Sequence, residues 1–170
     1  MGNCLSLRSR IVATMIRPNK LLYRLVKPSA KTVRRYVHPQ AWLGGKVLSP
    51  FGVKITRSHY GGVPGVVFKP KTIKSQNSVI IFLHGGGYVF GSSLTTHRLG
   101  VALMAKITGI ICHSIDYRLA PENPYPAALD DAFTAYKDIV SNQPNSRIIL
   151  AGDSAGGGLS LALMLSLIHI

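Results

Sequence analysis

From about residue 51 onward, apolar and polar positions fall into short runs whose spacing alternates between strand and helix periods. Val53 to Ser58 and Gly65 to Phe68 are extended runs connected through Gly61-Gly62, which predicts an antiparallel hairpin. Val79 to Leu83 and Ile110 to Ile115 are continuous apolar runs, as strands buried on both faces require. Between them, Thr96 to Ile107 reads as a helix. Pro126 fits a first helical turn, and Ala127, Ala128, Phe133, Ala135, Ile139 and Val140 carry that helix to Asn142. A third apolar strand, Arg147 to Ala151, leads directly into Gly152-Asp153-Ser154-Ala155-Gly156 and a strongly apolar helix. Strands alternating with helices predict the α/β class, with a mostly parallel sheet covered by helices on both faces. No internal repeat or low-complexity tract interrupts the pattern.

The composition agrees with one packed domain: 46% of the 170 residues are hydrophobic and 15% charged, which argues against a disordered chain. The formal net charge of +14 raises the question of an anionic partner. Its distribution answers part of it. Fifteen of the twenty Lys and Arg, and no Asp or Glu, lie in residues 1–74, whereas residues 75–170 hold five basic and six acidic residues. The charge therefore belongs to the N-terminal segment, and no nucleic-acid-binding motif accompanies it; nucleic acid is not expected as a partner.

Met1-Gly2-Asn3-Cys4-Leu5-Ser6 fits the pattern for N-myristoylation at Gly2, with Cys4 placed for a palmitoyl chain. One acyl chain holds a membrane only marginally, so Cys4 or the basic residues that follow supply the second signal such anchoring needs. The expectation is an N-terminal segment, residues 1–50, that anchors to an anionic membrane surface. The longest early apolar run, Ile11 to Ile16, is broken by Thr14 and ends at Arg17-Pro18, unlike a secretory signal. Leu159 to Ile170 is twelve residues, short of the ~20 that span a bilayer, and reads as a buried helix. Cys112 inside an apolar strand reads as a buried free thiol, consistent with the cytoplasm or the cytoplasmic face of a membrane.

Two segments carry chemistry. Gly-x-Ser-x-Gly between a strand and a helix is a nucleophile elbow: side chains at the glycines would meet neighbouring backbone, and the tight turn lifts Ser154 out of the sheet. His84-Gly85-Gly86-Gly87 stands where the strand Val79 to Leu83 ends. A tetrahedral acyl intermediate carries an oxyanion that needs two or three fixed N–H donors, and glycines leave backbone amides unobstructed. Gly85, Gly86 and Ala155 are assigned that role. Phosphate binding is disfavoured, because neither a Gly-Lys-Ser/Thr ending nor a Gly-x-Gly-x-x-Gly fingerprint is present. Asp153 points away from its neighbour on the turn and is expected to brace the elbow. His84 is expected to fix its loop through a ring hydrogen bond, and Asp116 to form an ion-pair network with Arg118 and Glu122 below the site. His97 and His113 read as a helix-start and a strand histidine.

Together with Asp116-Tyr117-Arg118-Leu119-Ala120-Pro121-Glu122 and Pro126-Ala127-Ala128-Leu129-Asp130-Asp131, these two motifs resemble the hormone-sensitive-lipase-like branch of the α/β-hydrolases in order and spacing. The resemblance covers residues 79–164, about half of a complete member. It implies an α/β-hydrolase fold, hydrolysis of a small hydrophobic ester with a short or medium acyl chain, or deacetylation, and no metal or organic cofactor. It also implies that residues 1–50 contribute a helical cap over the acyl pocket, and that residues 51–164 are the N-terminal half of the hydrolase domain. The rival reading is a ligand-binding receptor on the same scaffold that keeps the serine and lacks the base.

The base itself is missing from the pattern. Hydrolases of this type place an acid and then a histidine after the serine, and His169 stands about fifteen residues along the helix that leaves the elbow, roughly 22 Å from Ser154. The final six residues, Leu165 to Ile170, are what CTG TCT CTT ATA CAC ATC spells, the transposase end used in sequencing libraries. Residues 165–170 are therefore expected to be adapter, the C-terminal half of the hydrolase to be missing, and the 170-residue product alone to be inactive.

Overall fold

The computed structural model describes residues 29–48 and 50–168. The elements are α1 (Ala30–Leu48), β1 (Val53–Tyr60), β2 (Val63–Pro70), β3 (Ser78–Leu83), α2 (Arg98–Thr108), β4 (Ile111–Ile115), α3 (Ala127–Asn142), β5 (Arg147–Gly152) and α4 (Ala155–Ile168). The five strands form one sheet in the order β1-β2-β4-β3-β5. β1 and β2 pair antiparallel through Gly61-Gly62, β2 joins β4 antiparallel, and β3 runs parallel to both β4 and β5. The order places the ends of β3 and β5 side by side, with Leu83 opposite Gly152.

The alternation of side chains along β3 divides the core. Val79, Ile81 and Leu83 pack with Ala132, Ala135 and Ile139 of α3 and Leu159 and Leu163 of α4. Ile80 and Phe82 pack on the opposite face with Val66, Phe68, Cys112 and the α2 residues Val101, Ala102 and Ala105. Both faces are thus covered by helices, which is why these strands are apolar without alternation. Burying one such side chain contributes ~2 kcal/mol, so each cluster is a substantial part of the stability. Among the described residues β5 is an edge strand, and beside it Ile148, Leu150, Tyr136, Met164 and Leu167 line an open apolar hollow.

Strand and helix expectations hold to within two or three residues, with two differences. Pro126 occupies the N-cap position of α3 and the helix begins at Ala127. Residues 30–48 form a helix that residue patterning alone did not give, because Pro39, Gly44 and Gly45 are poor helix formers. Gly45 is there for proximity: a Cβ would stand 3.2 Å from Arg98 Cβ and 3.3 Å from Thr95 O, so its absence lets α1 approach the start of α2. Among the described residues, no helix is long and apolar enough to cross a membrane.

Candidate active site

The turn from β5 into α4 holds Ser154 at φ 50°, in the left-handed region that a non-glycine residue enters at a cost of ~1 kcal/mol. The surrounding backbone enforces it. A Cβ on Gly152 would overlap Gly156 O and lie 2.8 Å from Leu83 O, and one on Gly156 would overlap Leu83 O and lie 2.6 Å from His84 O. The two glycines let the elbow seat directly on the end of β3. Ser154 is exposed, and its hydroxyl has no hydrogen-bond partner among the described residues.

The His84–Gly87 loop leaves β3 against this turn. Gly86 (φ 118°) and Gly87 (φ 62°) both use the positive-φ region, and Val89 and Phe90 N–H donate back to Gly86 O at 3.0 and 3.1 Å, closing a tight turn. Gly85 N–H donates to Asp153 Oδ1 at 2.9 Å, which joins the loop to the residue preceding Ser154. That bond corrects the assignment of Gly85 to an oxyanion hole: a buried amide already committed to a carboxylate is not free for a reacting oxygen. The N–H groups of Gly86, Gly87 and Ala155 have no partner among the described residues.

His84 is buried, and its Nδ1–H donates to Gly85 O at 2.8 Å. Its ring stacks on Tyr117 with centroids 4.3 Å apart and planes 11° apart, while Tyr117 O–H donates to His84 O at 2.5 Å. Burial, as the largest influence, lowers the His84 pKa below its ordinary value and favours the neutral ring. His97, at the N-cap of α2, places Nε2 3.1 Å from Asp153 Oδ1 and 3.3 Å from Gly85 N. A carboxylate only accepts, so the consistent arrangement has both His97 Nε2–H and Gly85 N–H donating to Asp153. Thr96 O–H then donates to His97 Nδ1 at 2.7 Å.

The expected network of Asp116, Arg118 and Glu122 resolves into three separate partnerships, which is a second correction. Asp116 Oδ1 accepts from Ser93 N–H at 2.7 Å and from Ser93 O–H at 2.8 Å. Arg118 pairs with Asp131 at 2.8 Å, and Glu122 with Arg34 at 2.9 Å. The three side chains lie close in sequence on an irregular segment, and each turns toward a different element. Among the described residues, no group of three or more His, Cys, Asp or Glu is placed to hold a metal ion. Gly2, Cys4 and His169 lie outside the described residues.

The profile of the alpha/beta hydrolase fold family matches residues 80–169. The chain belongs to that family. Within it, this α/β hydrolase is 39% identical over 106 residues to Carboxylesterase NlhH of Mycobacterium tuberculosis, covering 59% of the chain and 33% of that protein. It is 38% identical over 95 residues to an acetyl-hydrolase of Streptomyces hygroscopicus, covering 55% of the chain and 31% of that protein. An esterase of the bacterial hormone-sensitive lipase family, known from a crystal structure, superposes with a TM-score of 0.71 at 34% identity, over 84% of this chain and 46% of that one. The α/β hydrolase described here thus falls with the hormone-sensitive-lipase-like esterases and spans about a third of the length of these curated relatives.

Three residues that the structure brings to the elbow and the glycine loop are not marked for that place by the sequence. Gly85 and Gly87 look alike in the sequence, and the Gly85–Asp153 bond distinguishes them. His97 reads from its local sequence as a helix-start histidine, and its partner Asp153 lies 56 positions further along the chain. Arg34 lies 55 residues from Val89, to whose carbonyl it donates, and no local pattern could reveal that contact.

Proposed function

We propose that the protein to which these residues belong hydrolyses carboxylic esters of short or medium acyl chains, with Ser154 as nucleophile. The observation that carries the reading is the Gly85 N–H to Asp153 bond, 2.9 Å, which ties the glycine loop to the elbow, while Gly86, Gly87 and Ala155 N–H have no partner among the described residues. In this reading Ser154 Oγ attacks the ester carbonyl carbon and its proton passes to an imidazole supplied from outside the described residues. The three amides receive the oxyanion, which is stabilised by roughly 3 kcal/mol per well-placed donor. The C–O bond to the alcohol then breaks, and water releases the acid from the acyl-serine. The esterase and acetyl-hydrolase relatives support the same class of reaction.

The test is hydrolysis of p-nitrophenyl butyrate by the full-length protein and its Ser154→Ala variant. Turnover that falls at least ~10³-fold in the variant, with unchanged circular dichroism, is expected. Equal turnover in both proteins sinks the serine assignment, and binding of the ester without turnover in either supports the receptor-like reading. We further infer that the basic, lipidated N-terminus holds the protein at an anionic membrane surface. Gly2→Ala is expected to abolish sedimentation with phosphatidylserine vesicles, and undiminished sedimentation would refer the binding to charge alone.

A further inference from the structure

We propose that Arg34, on α1, is a positioning residue for the oxyanion loop. The proposal rests on the hydrolase reading above and concerns a residue outside both glycine motifs. Its guanidinium makes four hydrogen bonds away from its own helix. Nε–H donates to Val89 O at 2.7 Å, Nη2–H to Ala120 O at 2.6 Å, and the fork grips both carboxylate oxygens of Glu122 at 3.0 and 2.9 Å.

The geometry connects this grip to the amides that matter. Val89 is the residue whose N–H closes the turn onto Gly86 O at 3.0 Å, so a guanidinium fastened to Val89 O holds that turn from its far side. Ala120 provides a second tie, because its N–H donates to Tyr88 O at 2.8 Å while its carbonyl accepts from Arg34. The peptide carbonyls of Tyr88 and Val89, immediately after Gly87, are therefore both fixed to one cluster centred on Arg34 and Glu122. Tyr88 itself is held at φ 61°, a conformation that outside contacts must maintain. The Arg34 hydrogen bonds are the foremost influence lowering the Glu122 pKa, which keeps the carboxylate ionised as a bidentate partner. A lysine offers one ammonium where the cluster uses a planar fork with three acceptor groups, so it cannot span them all.

This arrangement makes helix α1 part of the catalytic geometry. Oxyanion donors act only when fixed where charge develops, so slackening the turn reduces stabilisation of the transition state more than binding of the ester. The loss is therefore expected in kcat.

The experiment compares full-length wild type with Arg34→Ala, Arg34→Lys, Glu122→Gln and, as a charge control, Arg35→Ala, an exposed neighbour on the same helix. Arg34→Ala is expected to lower kcat 10- to 50-fold with KM changed less than about twofold, and to weaken inhibition by a trifluoromethyl ketone, whose bound hemiketal places an oxyanion in the same hole, by a similar factor. Arg34→Lys should lie nearer to Arg34→Ala than to wild type. Glu122→Gln, which retains both carbonyl contacts, should lose about 2- to 5-fold. Hydrogen exchange followed by mass spectrometry should show faster exchange of residues 86–90 in Arg34→Ala and none of this in Arg35→Ala. A lowered melting temperature with kcat and exchange of residues 86–90 unchanged overturns the proposal and leaves Arg34 a helix anchor. If wild type hydrolyses no ester, the functional reading fails, while the exchange comparison still decides the clamp. Should Arg34→Ala not fold, the Arg34→Lys and Glu122→Gln losses decide it in the same way.

Discussion

The elbow at Gly152–Gly156 and the loop at His84–Gly87 are both glycine-rich turns at the ends of neighbouring strands, yet different forces hold them. The elbow is held by backbone against backbone: Gly152 and Gly156 press on Leu83 and His84 so closely that a single methyl group has no room. The loop is as tight within itself, since a Cβ on Gly86 would overlap Phe90 O, but its hold on the rest of the chain adds side chains from four places, Asp153 on Gly85, Tyr117 on His84, His97 beside Asp153 and Arg34 on Val89. Steric contact is all or nothing, whereas hydrogen-bonded bracing is graded and adjustable. Ser154 is thereby placed by packing alone, and the loop amides are set by packing together with a network that other parts of the chain control.

The largest test of this contrast is Gly156→Ala. Its Cβ would overlap the Leu83 carbonyl, so loss of at least ~3 kcal/mol of stability is expected, read by urea denaturation of the full-length protein; a loss under ~1 kcal/mol would show that the elbow yields.

Acid tests the remainder of the molecule against the loop. His113 is buried, pairs with Tyr60 O–H at 3.0 Å, and has its pKa lowered by burial to about 4. Above pH 6.5 it is neutral folded or unfolded and contributes no pH dependence. Between pH 6.5 and about 4 the unfolded chain takes up the proton first, so stability falls as pH falls, by at most roughly 3 kcal/mol. His84, lowered in the same direction by burial, adds to the slope. His113→Gln is expected to flatten the fall in melting temperature from pH 7 to 4 without removing it. An unchanged slope would acquit His113, and a vanished one would acquit His84.

Asp153→Ala is expected to cost 1–3 kcal/mol, the penalty for an orphaned buried N–H at Gly85, and to lower kcat more than it raises KM. Urea denaturation and steady-state kinetics check the two effects, and a rise in KM alone would place Asp153 on the substrate-binding side. The smallest effect belongs to Gly87→Ala. Nothing lies within 4 Å of its Cβ position, so only the φ of 62° matters, at ~1 kcal/mol, and a much larger loss of stability would mean that Gly87 shares the confinement of Gly86.

The same contrast explains what was legible beforehand. Strands β3, β4 and β5 and helices α2, α3 and α4 were visible because periodic apolar burial leaves a local trace. The elbow was visible because its steric demand selects glycine two residues on either side of the serine. Helix α1 is obscured in the sequence by Pro39, Gly44 and Gly45, of which Gly45 has a tertiary reason, its close approach to Thr95 and Arg98. Asp116, Arg118 and Glu122 were read as one network because they are neighbours in sequence, whereas each side chain follows its own partner on a different element.

By itself, then, the sequence determined the α/β class, the order of elements and the placement of Ser154 on a strand-to-helix turn, since each depends on interactions among residues a few positions apart. Only the tertiary structure decided that Gly85 gives its N–H to Asp153, that Gly86, Gly87 and Ala155 keep theirs unpaired among the described residues, and that Arg34 reaches Val89. Those outcomes depend on which donor meets which acceptor when residues 55 or 68 positions apart are folded together, and a hydrogen bond leaves no mark on the sequence between its two ends.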